Sequence, residues 1–236
     1  MSTRLRLFPL NAVLFPGAVL NLHVFEPRYK QMISECLESG EGFGVVLIRE
    51  GEEAGDARVE PHDVGSIAEI VDVAQLPFGR YYISTVGRRR FRIRRIVSRE
   101  PYLTVDADLI EDDAANDAEI ARLRDDVRDA FLEYIELLVQ FSGQQSNVDL
   151  PADALATSFA VGDALQIADS IKQRLLEVDS TKQRLAAELG FLRRLMPQLR
   201  ALLEQREQEL QARADQGEHV HRGEQERFFG KYFSLN

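Results

Sequence analysis

The 236-residue sequence predicts an α+β protein, strands first and helices second, and three observations carry that expectation. Short stretches rich in Val, Ile and Phe, punctuated by Gly and Pro, fill the chain from Leu5 to about Ile110. A single apolar stripe at helical spacing interrupts them once. Beyond an acidic break at residues 111–117 (EDDAAND), the apolar period becomes that of long amphipathic helices.

The expected strands are Val19 to Val24, Phe43 to Ile48, Gly65 to Val73, Tyr81 to Val86, Phe91 to Val97 and Leu103 to Ile110. The interrupting helix follows from Tyr29, Met32, Ile33, Cys36 and Leu37, which fall at i, i+3, i+4, i+7 and i+8, with Gly40 as its stop. Strand and helix meet at Glu26-Pro27-Arg28-Tyr29. Pro27 suits a first helical turn, where its missing N–H costs nothing, and its ring pushes Glu26 into the extended conformation that ends a strand. Glu26 and Arg28 are expected to anchor neighbouring strands by charge-assisted hydrogen bonds. The hinge is therefore structural, since no second carboxylate or histidine is placed to share a proton. The polar segment 50–58 (EGEEAGDAR) reads as an exposed loop.

In the second half, Ile120, Leu123, Val127, Phe131, Tyr134, Ile135, Leu138 and Phe141 trace one long helix and residues 151–160 a second. Ser170 with Gln173, and Ser180 with Gln183, match the capping box, so two further helices start at those serines. The last, from Thr181 to about Asp215, would extend about 50 Å at the helical rise. Its Leu185, Leu189, Leu192, Met196, Leu199, Leu203 and Leu210 alternate four and three apart, with Arg206 in the one polar slot, as in the seam of a helix pair. Pro197 is expected to kink it. Up to Pro197 the seam should pack on the same chain; beyond Leu203 a homodimer through the 185–210 helix is the competing expectation. The tail, 216–236, is polar but ends in an aromatic tip, FFGKYF, at residues 228–233.

A 44% hydrophobic content suffices for a core, while 39 acidic against 29 basic residues leave a charge of −10. That balance opposes wholesale capture of nucleic acid or of an anionic membrane. One cysteine, Cys36, excludes an internal disulfide or thiolate cluster and fits a reducing compartment. With no signal-like N-terminus and no long apolar run, the expected location is cytoplasmic.

The chemistry-bearing motifs are missing. There is no G-x-x-x-x-G-K-[ST] phosphate loop, no G-x-S-x-G elbow and no H-E-x-x-H helix. Gly40, Gly42 and Gly44 join a helix to a strand, the wrong order for a dinucleotide site. His219 and His221, with Glu218 and Glu224, are two imidazoles in a polar tail and make a poor metal site without a fixed outer shell. His23 alternates with strand residues and is expected as a packed or rim histidine, since no partnered nucleophile can be named for it. No catalytic residue, metal or cofactor is therefore assigned. An enzyme with catalytic groups on separate strands would reveal itself only by a pocket of perturbed titratable groups.

The stretch 79–99 (GRYYISTVGRRRFRIRRIVSR) holds eight arginines and no acid, with Tyr81, Tyr82 and Phe91 interleaved. Aromatics beside arginines on a sheet can stack and neutralise single-stranded RNA. However, Phe91 and Ile93 alternate with Arg90, Arg92 and Arg94, which puts the arginines on the outer face, where they can pair with the surplus acids.

Several ordered motifs carry a family resemblance: Leu7-Phe8-Pro9-Leu10, Val13-Leu14-Phe15-Pro16-Gly17, Leu22-His23-Val24-Phe25-Glu26-Pro27-Arg28-Tyr29, Val64-Gly65-Ser66-Ile67-Ala68-Glu69-Ile70 and Val86-Gly87-Arg88-Arg89-Arg90-Phe91-Arg92-Ile93. Over residues 5–110 they resemble the N-terminal substrate-recognition domain of the ATP-dependent Lon protease family, and the helices from 117 to 200 resemble the bundle that follows it. The resemblance implies a PUA-like pseudo-β-barrel over residues 1–112, a helical subdomain over 113–215 and a tail over 216–236. It further implies binding of unfolded or degron-bearing polypeptides, as a stand-alone domain without the ATPase or the Ser-Lys protease module, with a separate protease as a further partner. The binding residues are then expected at two proline-bearing turns, Leu14-Phe15-Pro16-Gly17 and Leu76-Pro77-Phe78-Gly79, unless Phe15 and Phe78 fold inward as core plugs. The alternative is RNA binding through Arg88, Arg90, Arg92 and Arg94, a habit of PUA-type barrels.

Overall fold

The computed structural model describes residues 2–51, 59–112, 117–143 and 149–215. The tail with its FFGKYF tip, the His219/His221 pair and most of the 50–58 loop lie outside them. The chain divides into two compact units: Met1–Asp113 with Gly162–Leu165 and Asp169–Asp179, and Ala114–Val161 with Gln166–Ala168 and Ser180–Asn236.

The first unit is built on a mixed sheet of seven strands: β1 (Ser2–Leu10), β2 (Val19–Val24), β3 (Phe43–Glu50), β4 (Glu60–Pro61), β5 (Val64–Leu76), β6 (Arg80–Ser98) and β7 (Thr104–Leu109). Their order is β1-β7-β6-β5-β3-β4, and a parallel pairing of β1 with β3 closes the path into a ring. It is not a regular barrel, because β2 attaches to β6 off that path. β1 was not among the expected strands, since a proline sits in its apolar run. The strand changes partner there: Ser2 to Arg6 pair with β7, and Leu7 to Leu10 with β3. At Pro9 no ladder with β7 remains for a missing N–H to interrupt.

A second difference concerns β6, one strand of 19 residues where two were expected. Gly87 does not break it. A Cβ at that position would lie 2.2 Å from the carbonyl oxygen of Phe15, so the glycine marks a close approach of two backbones. Gly17 N–H donates to Gly87 O at 2.8 Å, and Gly87 N–H to Ala18 O at 2.9 Å.

Between β2 and β3 runs α1 (Pro27–Ser39), started by Pro27 at its first position and ended by Gly40 at φ 68°. Its Tyr29, Met32, Ile33 and Cys36 are buried against Phe8, Val24, Phe43 and Ile83 of the sheet. A second apolar cluster, with Leu7, Val46, Phe91 and Val105, lies among β1, β3, β6 and β7. The unit also holds α4 (Asp169–Glu177), which begins one residue before Ser170. Gln173 therefore does not cap; its amide donates to Val64 O at 2.9 Å and to Glu177.

In the second unit, α2 (Ala118–Ser142) is capped by Asp117, whose carboxylate accepts from the N–H groups of Glu119 and Ile120 at 2.9 Å. Helix α3 (Ala154–Ala164) starts later than expected because Asp153, not Pro151, supplies the cap, accepting from Ala156 N–H at 2.8 Å. The long α5 (Thr181–Asp215) begins at Ser180 as its capping box predicts, with Gln183 N–H reaching the Ser180 hydroxyl, and runs through Pro197 as one helix. It packs along α2. Leu185, Leu189, Leu192, Met196 and Leu199 are buried, whereas Leu210 is 41% exposed. The surface left for a homodimer through 185–210 therefore narrows to the segment beyond Leu199.

Candidate functional site

The two proline-bearing turns, expected to act alike, have opposite fates. Leu14 and Phe15 are buried, Phe15 completely, because the backbone hydrogen bonds at Gly87 dock their turn onto β6. Leu14, Phe15 and the half-buried Pro16 are a core plug and not a presented tip. Leu76-Pro77-Phe78-Gly79 is the end of an arm: from Ile70 to Leu76, β5 pairs with β6, whose other edge carries β2 from Val19 to Val24. Pro77–Gly79 forms a 3-10 turn, with Phe78 at φ 66°, ψ 26°. For a side chain with a Cβ the left-handed conformation costs about 1–2 kcal/mol. Phe78 is also 88% exposed, so its burial returns nothing in the free protein. Lys30 of α1 donates to Phe78 O at 3.1 Å, and the Arg80 guanidinium lies 6.0 Å from the Phe78 ring.

The arm has an apolar outer face that the residue pattern did not reveal. His23 pairs with Tyr82 across β2 and β6, and the His23 ring lies 5.7 Å from that of Phe25. Phe25 and Tyr82 are each about half exposed, while Val73 of β5, also exposed, pairs with Ile83 and lies on the opposite face of the arm. The signal was present in Tyr81-Tyr82: neighbours on a strand face opposite ways, so two adjacent tyrosines cannot both be core. Tyr81 packs inward and Tyr82 outward.

Pro27 opens α1, Arg28 donates to Glu26 at 2.9 Å, and Tyr29 stacks on Phe8 with ring centroids 3.9 Å apart. Glu26 and Arg28 thus pair with each other.

The arginine face divides as well. Arg88 and Arg89 are exposed, whereas Arg90 is fully buried although it shares its face of β6 with Arg92, both guanidiniums reaching Asp179, at 3.9 and 3.4 Å. The alternation with Phe91 and Ile93 holds, but Arg90 is not open to solvent, because Asp112 and the end of α4 cover it. Arg90 pairs with Asp112 at 2.5 Å and donates to the carbonyls of Leu176 and Val178 at the end of α4. Arg88 pairs with Glu69, Arg92 with Asp179 and Arg94 with Asp108. Arg88 holds the Glu69 carboxyl below the usual carboxylate range.

Among the described residues there is no group of three or more His, Cys, Asp and Glu arranged to hold a metal ion, and no helix is long and apolar enough to cross a membrane. Near the base of the ring, Tyr102 donates to Glu35 and Arg6 pairs with both Glu35 and Glu41. The Tyr102 hydroxyl, first among its neighbours, lowers the Glu35 carboxyl, while burial raises Tyr102. These are acids and bases tied to each other, with the partners of a structural network.

The strands thus form a mixed ring in which β5 and β6, with β2, run on beyond the last pairing with β3 as a half-apolar arm. Comparison with known proteins gives the family: residues 4–194 match the model of the ATP-dependent protease La (LON) substrate-binding domain, and the chain belongs to that family. The matched domain is the non-catalytic, substrate-binding one. Relatives include the Lon protease of Flavobacterium johnsoniae, 28% identical over 58% of this chain, and Lon protease 2 of Myxococcus xanthus, 30% identical over 57%. This chain spans only 17% and 16% of the lengths of those proteins. Among solved structures, a Lon N-terminal domain protein from Xanthomonas campestris is 28% identical with a TM-score of 0.61, covering 80% of this chain and 98% of that one. The N-terminal domain of the Mycobacterium avium complex Lon protease shares the fold at 18% identity and a TM-score of 0.58, over 80% of this chain and 98% of that one.

Proposed function

We propose that this chain binds unfolded or degron-bearing polypeptides through the arm, holding them or passing them to a separate protease. The observation that carries the reading is Phe78, a large apolar side chain exposed at a tip that keeps it in a costly conformation. Strain that no packing offsets is most often kept where a function uses it. Phe25 and Tyr82 extend the surface, and burying one such ring against a client stabilises a complex by roughly 1.5–3 kcal/mol. A cytoplasmic setting, where a lone buried thiol stays reduced, accords with this role.

The test is binding of the full chain to a reduced, carboxymethylated polypeptide that cannot fold, with the native form of the same polypeptide as control. Changing Phe78→Ser and Tyr82→Ser together is expected to weaken capture at least about tenfold. Unchanged affinity in a folded double variant would remove the arm from the reading. Crosslinking in cells separates the two roles: a spread of clients marks a holder, and a recurring protease subunit marks an adaptor.

A further inference from the structure

Strand β5 has two partners along its first residues and one along the rest. Phe43, Gly44 and Val45 of β3 pair with Ala68, Ile67 and Ser66, and beyond Ala68 the described strands offer β5 only β6. Val71, Asp72, Val73, Ala74 and Gln75 are all exposed, five in succession. Side chains on a strand alternate between faces, so a run without alternation means that both faces are open here, on a segment whose outer edge has no ladder. Such an edge presents N–H and C=O groups at strand spacing, and the chemistry that satisfies them is another extended backbone.

We propose that the edge of β5 from Ile70 to Leu76 takes up an extended, neutral-to-basic segment of client chain as an added strand. This rests on the proposed client binding and names how the client is held. The charge on the edge selects the occupant: from Ile70 to Leu76 the one charged residue is Asp72, since Glu69 before it is paired with Arg88. A second copy of this chain would bring the same Asp72 to the same edge and a further charge of −10, and like charges facing across strands destabilise the pairing. Main-chain hydrogen bonding tolerates many side-chain sequences, as a site for unfolded clients requires, while Val71, Val73 and the tip Phe78 favour apolar ones. Strand β2 also has a single partner, but its residues alternate between exposed and covered, so one of its faces is closed.

The experiment uses a fluorescein-labelled peptide of alternating valine and lysine, long enough to span Ile70–Leu76, titrated with the full chain. Two further peptides carry N-methyl groups on alternate amides, one in each phase. On an added strand only one phase faces β5, so one methylated peptide is expected to lose about tenfold or more in affinity and the other to bind like the parent. Val71→Lys, which places a cation on the edge, is expected to weaken the parent comparably, and Val19→Lys on β2 to leave it unchanged. Equal binding of both methylated peptides overturns strand addition, and a loss with Val19→Lys instead of Val71→Lys overturns the choice of edge. If the parent peptide does not bind while the unfolded polypeptide does, strand addition fails and client binding stands. If neither binds, client binding falls and strand addition falls with it. A dimer at micromolar concentration that Val71→Lys dissolves would show that a second copy occupies the edge and overturn the assignment to a client.

Discussion

Arg90 on β6 donates a 2.9 Å hydrogen bond to the main-chain carbonyl of Val178, one residue past the end of α4. The same guanidinium reaches the carbonyl of Leu176 and pairs with Asp112, so three separate segments of the first unit converge on one buried cation. The carbonyls are those a helix end leaves without intrahelical partners. Replacing Arg90→Met leaves them and Asp112 uncompensated in the interior, and is expected to lower stability by about 3–5 kcal/mol, read from urea unfolding. Arg90→Lys should recover only a part, because one ammonium cannot reproduce the planar fork. A loss below about 1 kcal/mol would mean that α4 is held by other contacts.

The outer arginines lead to a second expectation. Arg88, Arg92 and Arg94 each face a carboxylate of this chain, and the net charge is −10. A phosphate backbone would have to displace those acids while meeting long-range repulsion. Anisotropy of a labelled oligouridylate at low salt is expected to show no saturable binding at micromolar protein, the range in which non-specific binders begin to associate. A salt-dependent affinity that Arg88→Ala and Arg94→Ala reduce would restore RNA binding by this face.

At the arm tip, stability and binding should respond in opposite directions. Phe78→Asn keeps a residue that tolerates the left-handed region and gives up little buried area, since Phe78 is 88% exposed. The variant is expected to gain up to about 1 kcal/mol in thermal or urea unfolding and to lose affinity for unfolded polypeptide. A less stable variant would show that the ring, despite its exposure, contributes packing to the arm.

The order of strands and helices was readable because the apolar period changes once, at an acidic break, and because Pro27 and Gly40 punctuate α1. What escaped has particular causes. Gly87 reads as a turn in one dimension, yet it accommodates the Phe15 carbonyl, a contact between residues 72 positions apart by count from Phe15 to Gly87. Two chemically similar turns, Leu14-Phe15-Pro16-Gly17 and Leu76-Pro77-Phe78-Gly79, differ only in whether a partner backbone lies beneath them, which no local pattern encodes. Arg90 escaped because the end of α4 and Asp112 cover its face of β6, a contact between segments far apart in the sequence. The open edge of β5 is legible only once β3 is seen to stop at Ala68.

Cys36 is 1% exposed on the buried side of α1, and burial pushes its thiol up to about 11. Thiolate is the reactive form, so the folded protein at pH 8 is expected to react with a disulfide reagent at least about a hundredfold more slowly than the unfolded chain. The residual rate should rise with denaturant as the first unit opens. Fast labelling without denaturant would mean that α1 separates from the sheet in the native state.

The helical unit holds a buried acid whose titration can be read as stability. Glu188 on α5 is fully buried, neither carboxylate oxygen has a hydrogen-bond partner among the described residues, and Arg184 lies one turn before it. Burial raises the Glu188 carboxyl well above its ordinary value, with the Arg184 charge opposing. Arg184 itself donates to the Ser158 hydroxyl at 2.8 Å and lies 4.1 Å from the Phe159 ring centroid. An unfolded glutamate titrates near ~4.3. Above that pH the unfolded chain has released a proton that the folded one retains, so stability falls as pH rises towards the raised folded value, by up to ~1.4 kcal/mol per pH unit; below ~4.3 both states are protonated and nothing is lost. Glu188→Gln removes the titration and keeps the shape. The stability of the parent minus that of the variant, from urea unfolding between pH 4 and 8, is therefore expected to decline with pH, and a flat or rising difference would show that Glu188 is charged in the folded protein and stabilised by Arg184.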